Sequence, residues 1–166
     1  MWPIVTHALA FGVILSGALF ALILVVLKVN PEIMLNDYPP DVRAKWGPMS
    51  SRTKRQRVLV SVLVMMVLVG VAFWSSRSLQ GRITGDVTLQ TASTHFLVMF
   101  GTFNLLDWLA LDWPLVYWQP RFIVLPGTEG MAGYRSYWFH FRGFLIGCPI
   151  VAAGSMLAAT IVSAIA

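Results

Sequence analysis

Asn104, Asp107 and Asp112 interrupt a Leu-, Phe- and Trp-rich run that extends from His95 to Trp118. The run has the length of a membrane span, and a charged side chain at the bilayer centre costs about 2.5–3.5 kcal/mol on insertion scales. Groups kept there at that cost face a helix bundle or a wet cavity and have a partner, which makes these three candidate ligand-binding residues. On a helix turning about 100° per residue, Asp107 and Asp112 fall roughly 140° apart, with Trp108 and Leu111 between them. That spacing predicts a broad polar face and argues against a tight carboxylate pair within one helix. Interhelical hydrogen bonds that only fix packing are the plain alternative to binding or proton handling.

Asp112 is the sharper candidate, because it lies toward the end of its stretch nearest to His140 and Arg142, which open the last apolar stretch. Glu129 sits in the connecting segment. Asp112, Glu129, His140 and Arg142 are therefore expected to converge on one pocket, with an Asp–Arg pair as its simplest content. Asp112, Glu129 and His140 would also serve as ligands for a divalent metal ion, although their spacing carries no recognised metal-site signature. His7 and His95 belong to the opposite side, where they could pair, at the extreme as the two axial ligands of a haem. A hydrogen-bonded interfacial histidine is the commoner outcome. Pro126-Gly127-Thr128-Glu129-Gly130 could let backbone amides approach an anion, but it lacks the lysine and spacing of a phosphate loop. Trp2, Trp74, Trp113, Tyr117, Trp118, Tyr137 and Trp138 read as aromatic belts at headgroup level, with stacking on a quinone as the functional alternative. Metal, haem and quinone all stay open, and no cofactor is assigned.

The elements that must position these residues follow from composition. Of 166 residues, 57% are hydrophobic and 11% charged, with a mean hydropathy of +0.72. Soluble domains carry about 25% charged residues, so lipid is the main solvent here. Four apolar stretches, at about 8–27, 58–74, 95–118 and 144–166, predict an all-α integral membrane four-helix bundle in one transmembrane domain covering 1–166. Short alternating segments, the mark of a membrane barrel, do not occur. The first stretch lacks a basic n-region and is expected to be a retained span rather than a secretory signal. Pro114 should kink or end the third span. Cys148, the single cysteine, excludes an intrachain disulfide and a cysteine metal cluster, and is expected to be a small buried hydrophobe.

The net charge of +5 is not the footprint of nucleic-acid binding, because the basic residues concentrate in segments flanking apolar stretches. Seven of the twelve fall between Lys28 and Arg57, four of them, Arg52, Lys54, Arg55 and Arg57, just before the second span. The positive-inside rule then makes the long first loop and the third loop cytoplasmic, with both termini outside. The four-residue cluster is a candidate site for anionic lipid headgroups. Small residues recur at Gly143, Gly147, Ser155, Ala159 and Ser163, and again at Ala8, Gly12 and Ser16, so that two helices are expected to pack closely on each other there, or across an oligomer contact.

The strings Asn36-Asp37-Tyr38-Pro39-Pro40, Leu111-Asp112-Trp113, Pro126-Gly127-Thr128-Glu129-Gly130 and His140-Phe141-Arg142-Gly143 together resemble a group of short, functionally uncharacterised bacterial four-span membrane proteins. The resemblance covers most of the chain beyond the first span. It implies a place in the bacterial inner membrane and no activity. The favoured expectation is a protein of the lipid bilayer that binds a small ligand, lipid headgroup or ion at a polar site in the cytoplasmic half. A metal- or haem-dependent membrane enzyme and an accessory subunit of a larger membrane complex are the alternatives. Cysteine-labelling of single-cysteine variants should find both termini on the outer side of the membrane. A C-terminus labelled only from the cytoplasm would invert the orientation and move the pocket outward.

Overall fold

A computed structural model describes residues 2–83 and 86–165, and among them there is no strand. Three of the apolar stretches form helices longer than their apolar runs, α1 (Trp2–Val29), α3 (Ser51–Gln80) and α6 (Tyr137–Ile165), while the third is divided, beginning in α4 (Leu89–Leu106). Between α1 and α3 lie a 3-10 turn over Pro31–Asp37 and the short α2 (Pro40–Trp46). After α4 the helix widens over Asp107–Asp112 and continues as α5 (Trp113–Trp118), and a second 3-10 turn at Ala132–Arg135 leads into α6. Four helices, Trp2–Val29, Ser51–Gln80, Leu89–Asp112 and Tyr137–Ile165, are long and apolar enough to cross a membrane. The chain is a multi-pass membrane protein.

Side-chain caps set where the helices begin. The Ser50 hydroxyl accepts the Thr53 N–H at 3.2 Å, and the Thr88 hydroxyl accepts the Thr91 N–H at 3.2 Å. The cap at Ser50 starts α3 earlier than the apolar run, so Arg52, Lys54, Arg55 and Arg57 lie on its first turns rather than in the loop before it. They do not form one patch. Arg52, Lys54 and Arg55 are exposed, whereas Arg57 is only partly so, with a guanidinium nitrogen buried without a partner.

The helix does not end at Pro114 but runs on to Trp118. Proline has no N–H, and its ring collides with the carbonyl four residues back in a regular α-helix. Here the chain widens ahead of the proline, and the Trp113 N–H bonds the Trp108 carbonyl five residues back.

α4 packs against α1 on one side and α6 on the other, and α3 packs chiefly on α1. The two small-residue stripes therefore pack mainly on α4 rather than on each other. A Cβ on Gly12 would stand 2.6 Å from the Thr102 Cβ and 2.8 Å from the Met99 carbonyl, while one on Gly147 would collide with the Asn104 amide. Gly143 has open space at its Cβ position and takes no part. Cys148 is exposed on α6 rather than buried, at the margin of the α4 contact, with its thiol directed to the Phe144 carbonyl at 3.4 Å and the Asn104 amide 3.7 Å from its sulfur. Ala8, Phe11, Leu79, Phe96, Met99 and Ala159 form the core at the end where α1 begins. α3 leaves most of its middle exposed, and a groove of about 820 Å³ runs between it and α6, floored by Phe96, Phe100 and Phe103.

Gly147→Leu should destabilise the chain by about 1–3 kcal/mol, as overpacking does, whereas Gly143→Leu should melt as the parent does. Thermal melts in one detergent compare the two, and equal melting would show that α6 does not need its close approach to α4.

Candidate functional site

Where the end of α1, the first 3-10 turn, the end of α4 and the start of α6 meet, they enclose a cavity of about 590 Å³. Its polar lining is Asn36, Asp37, Asn104, Asp107, Asp112, His140 and Arg142, and its apolar walls include Trp108, Phe139 and Phe144. The widened turn explains how Asp107 and Asp112 share it. A turn that closes on the residue five ahead brings positions 107 and 112 toward one side of the helix, where a regular α-helix would splay them. The expectation of a splayed pair rested on regular α geometry, which Pro114 removes.

Nδ1 of His140 donates to the Asp112 carboxylate at 3.2 Å, and both side chains keep partial exposure. Asn104 donates from its amide to the Phe144 carbonyl at 3.2 Å, tying α4 to α6, as the packing alternative for this residue requires. Trp108 stacks on Phe144 at 5.1 Å between ring centroids and meets Phe141 at 5.2 Å. Its indole Nε1 is buried without a partner, so the cavity wall holds a donor with nothing to donate to.

The floor is built by the first and third loops folding onto each other. Leu35, Tyr38, Val42, Leu125 and Tyr134 form a small core of their own. Three groups close a hydrogen-bond ring within it. The Leu125 N–H donates to the Tyr134 oxygen at 3.0 Å, and the Thr128 hydroxyl donates to the Leu125 carbonyl at 2.7 Å. Since the Thr128 proton is spent there, the 2.7 Å contact between the two hydroxyls runs from Tyr134 to Thr128. Tyr38 donates to the Ile123 carbonyl at 2.6 Å, and burial, with Tyr134 and Asp37 adding to it, pushes its phenol pKa up. Asp41 accepts the Gly133 N–H at 3.0 Å and fastens α2 to the second 3-10 turn.

Glu129 does not join Asp112, His140 and Arg142. It stands exposed on its turn, where it accepts the Gly127 N–H at 3.0 Å between two glycines of positive φ. Its own backbone N–H and that of Gly127 lower its pKa. The glycine-flanked loop thus already holds an anion, its own carboxylate, and the expected anion approach to these amides is taken. Without Glu129 the divalent-metal set Asp112, Glu129 and His140 is not assembled. Among the described residues, no three of the His, Cys, Asp and Glu side chains are grouped to hold a metal ion.

Asp37 takes a place in the cavity that its sequence did not announce, since it reads as part of a rigid turn. Its signal was its neighbourhood: Tyr38-Pro39-Pro40 fixes a bend that delivers the carboxylate to the cavity mouth. The carboxyl stays accessible there, yet the surrounding protein strips enough water from it to raise its pKa. Arg57 and Arg43 pull the other way, and Asp112 adds to the rise.

His7 and His95 are at the opposite end, and their ring centroids are 5.1 Å apart. Nε2 of His7 meets the Ser78 hydroxyl at 3.0 Å, and Nε2 of His95 meets that of Ser75 at 3.2 Å. Rings this close leave no slot for a macrocycle between them, so the haem arrangement does not fit. Comparison of the chain with family models, with curated proteins and with solved structures returns no match in any of the three.

The cavity mouth depends on Glu32, which ties the first 3-10 turn to the start of α3. It accepts the Ser50 N–H at 2.7 Å and the Thr53 hydroxyl at 2.6 Å. Burial works to raise its pKa, but the bonds from Thr53, from Ser50 and from Trp46 outweigh it, and the net shift is downward from 4.5. A carboxyl with a lower pKa folded than unfolded contributes fully above the unfolded value and nothing below the folded one. Stability should therefore fall as acid takes the solution through and below 4.5. Melts recorded from about pH 6 to about pH 3 should show a shallower decline for Glu32→Gln than for the parent. Parallel curves would mean that Glu32 does not carry this contact.

Proposed function

We propose that this is a four-helix protein of the bacterial inner membrane that binds a headgroup-sized molecule carrying an ammonium group in the cavity at its cytoplasmic half. The observation that carries the reading is the lining: Asp37, Asp107 and Asp112 surround a space of about 590 Å³ that has one arginine, Arg142, on its wall. Ligand sites commonly occupy about 300–1,000 Å³, with apolar walls and a few converging polar groups. The carboxylates suit an ammonium, the aromatic faces of Trp108 and Phe144 favour a cation against them, and Arg142 suits a phosphate. The unpartnered Trp108 N–H supplies a donor for a ligand oxygen. A zwitterionic phosphoethanolamine group matches this set, whether free or on a lipid.

The orientation belongs to the same proposal. The first and third loops, which floor the cavity, carry with the helix ends beside them ten of the twelve basic residues, and they face the cytoplasm. Arg52, Lys54 and Arg55, exposed on α3 at that level, meet anionic headgroups around the site.

Binding to detergent-purified protein can be measured with phosphoethanolamine, with short-chain phosphatidylethanolamine and with glycerol phosphate. The first two should bind and the third should not. Asp112→Asn keeps shape and hydrogen bonding but loses charge, and should weaken binding about tenfold, equivalent to about 1.4 kcal/mol. Equal binding of glycerol phosphate, or no change in Asp112→Asn, would overturn the proposal.

A further inference from the structure

The second polar cluster lies at the opposite end of the helices from the cavity and depends on none of the preceding reading. His7 is 7% exposed and His95 0%, with Phe11 and Phe96 against their rings. Ser75 decides where the His95 proton sits. The Ser75 hydroxyl donates its one proton to the Ala72 carbonyl at 2.9 Å, so its 3.2 Å contact with His95 runs from the imidazole Nε2–H to the serine oxygen. His95 is therefore the Nε2–H tautomer, and its Nδ1 carries a bare lone pair. That Nδ1 is buried with no partner, and so is Nδ1 of His7. A buried polar atom left unpaired is costly, and here two of them sit on rings with centroids 5.1 Å apart.

Two further features favour one kind of occupant. Met99, fully buried, lies one turn along the same face of α4 from His95 and packs in one cluster with Ala8 and Phe11. Its thioether is a soft donor on the face of α4 that carries His95. No carboxylate is among the buried residues described. A divalent ion would find no anion to offset its charge, and its desolvation cost would exceed that of a monovalent one. Imidazole and thioether together select Cu(I) over zinc or magnesium. A serine behind each imidazole is the outer partner that orients a metal-binding histidine.

We propose that His7 and His95, with Met99 as third donor, bind a soft monovalent metal ion of the Cu(I) class in the half of the membrane where α1 begins. The test uses the full chain in detergent, without oxygen, titrated with Cu(I) against a bicinchoninate competitor, with Ag(I) as a redox-inert probe. One equivalent should bind per chain. Ser75→Ala should weaken it by about 10–100-fold, as loss of an orienting partner does. The paired substitution His7→Phe with His95→Gln should abolish it. X-ray absorption at the copper edge of the wild-type chain should show nitrogen and sulfur neighbours, with the sulfur lost in Met99→Leu. Binding no greater than the detergent blank overturns the proposal, as does full binding by the paired variant. Should the paired variant fail to fold, a wild-type copper spectrum without imidazole neighbours overturns it equally.

Discussion

Everything in this fold hangs on how closely α4 can approach two helices at once. Gly12 leaves room for Thr102 on one side, and Gly147 leaves room for the Asn104 amide on the other. In lipid there is no hydrophobic drive to press helices together, so contact at backbone distance and interhelical hydrogen bonds must do it. The Asn104 bond to the Phe144 carbonyl is one such bond, and it sits one turn from Asp107. The same approach that holds α6 in place therefore also brings His140 to Asp112.

How much of this could be seen in the sequence depends on how local the cause is. Four helices follow from apolar runs, which need no knowledge of neighbours. The nearness of His140 to Asp112 follows from chain order, since one ends a span and the other begins the next. Which helices touch is another matter. The stripes at Gly12 and Gly147 announced close approach, but a missing side chain says nothing of what fills its place, and the fillers were Thr102 and Asn104 on a third helix. Glu129 looked like a cavity residue because it is acidic and nearby in sequence. The positive-φ glycines around it let it reach back to the Gly127 N–H instead.

The polar residues of the membrane part divide between two ends with different logic. At the cavity, charged groups keep partial access to water, and the loops beneath are locked by a ring of hydroxyls and a peptide group. At the other end, histidines and serines are sealed among phenylalanines, and two ring nitrogens have nothing to bond. Neither end resembles the other in donor type, so one molecule would not serve both.

The widened stretch at Asp107–Asp112 also has a genetic reading. A turn of this kind accommodates more chain than an α-turn, so it behaves as an insertion that the helix absorbed without breaking. Deleting a single residue between Trp108 and Leu111 would leave a helix that is more regular than before. The two carboxylates would then stand four residues apart, about 40° around a regular α-helix, so Asp107 and Asp112 would still share a face. The stretch can therefore lose one codon and keep its acidic wall, whereas the same loss within α4 would turn one part of that helix about 100° against the rest.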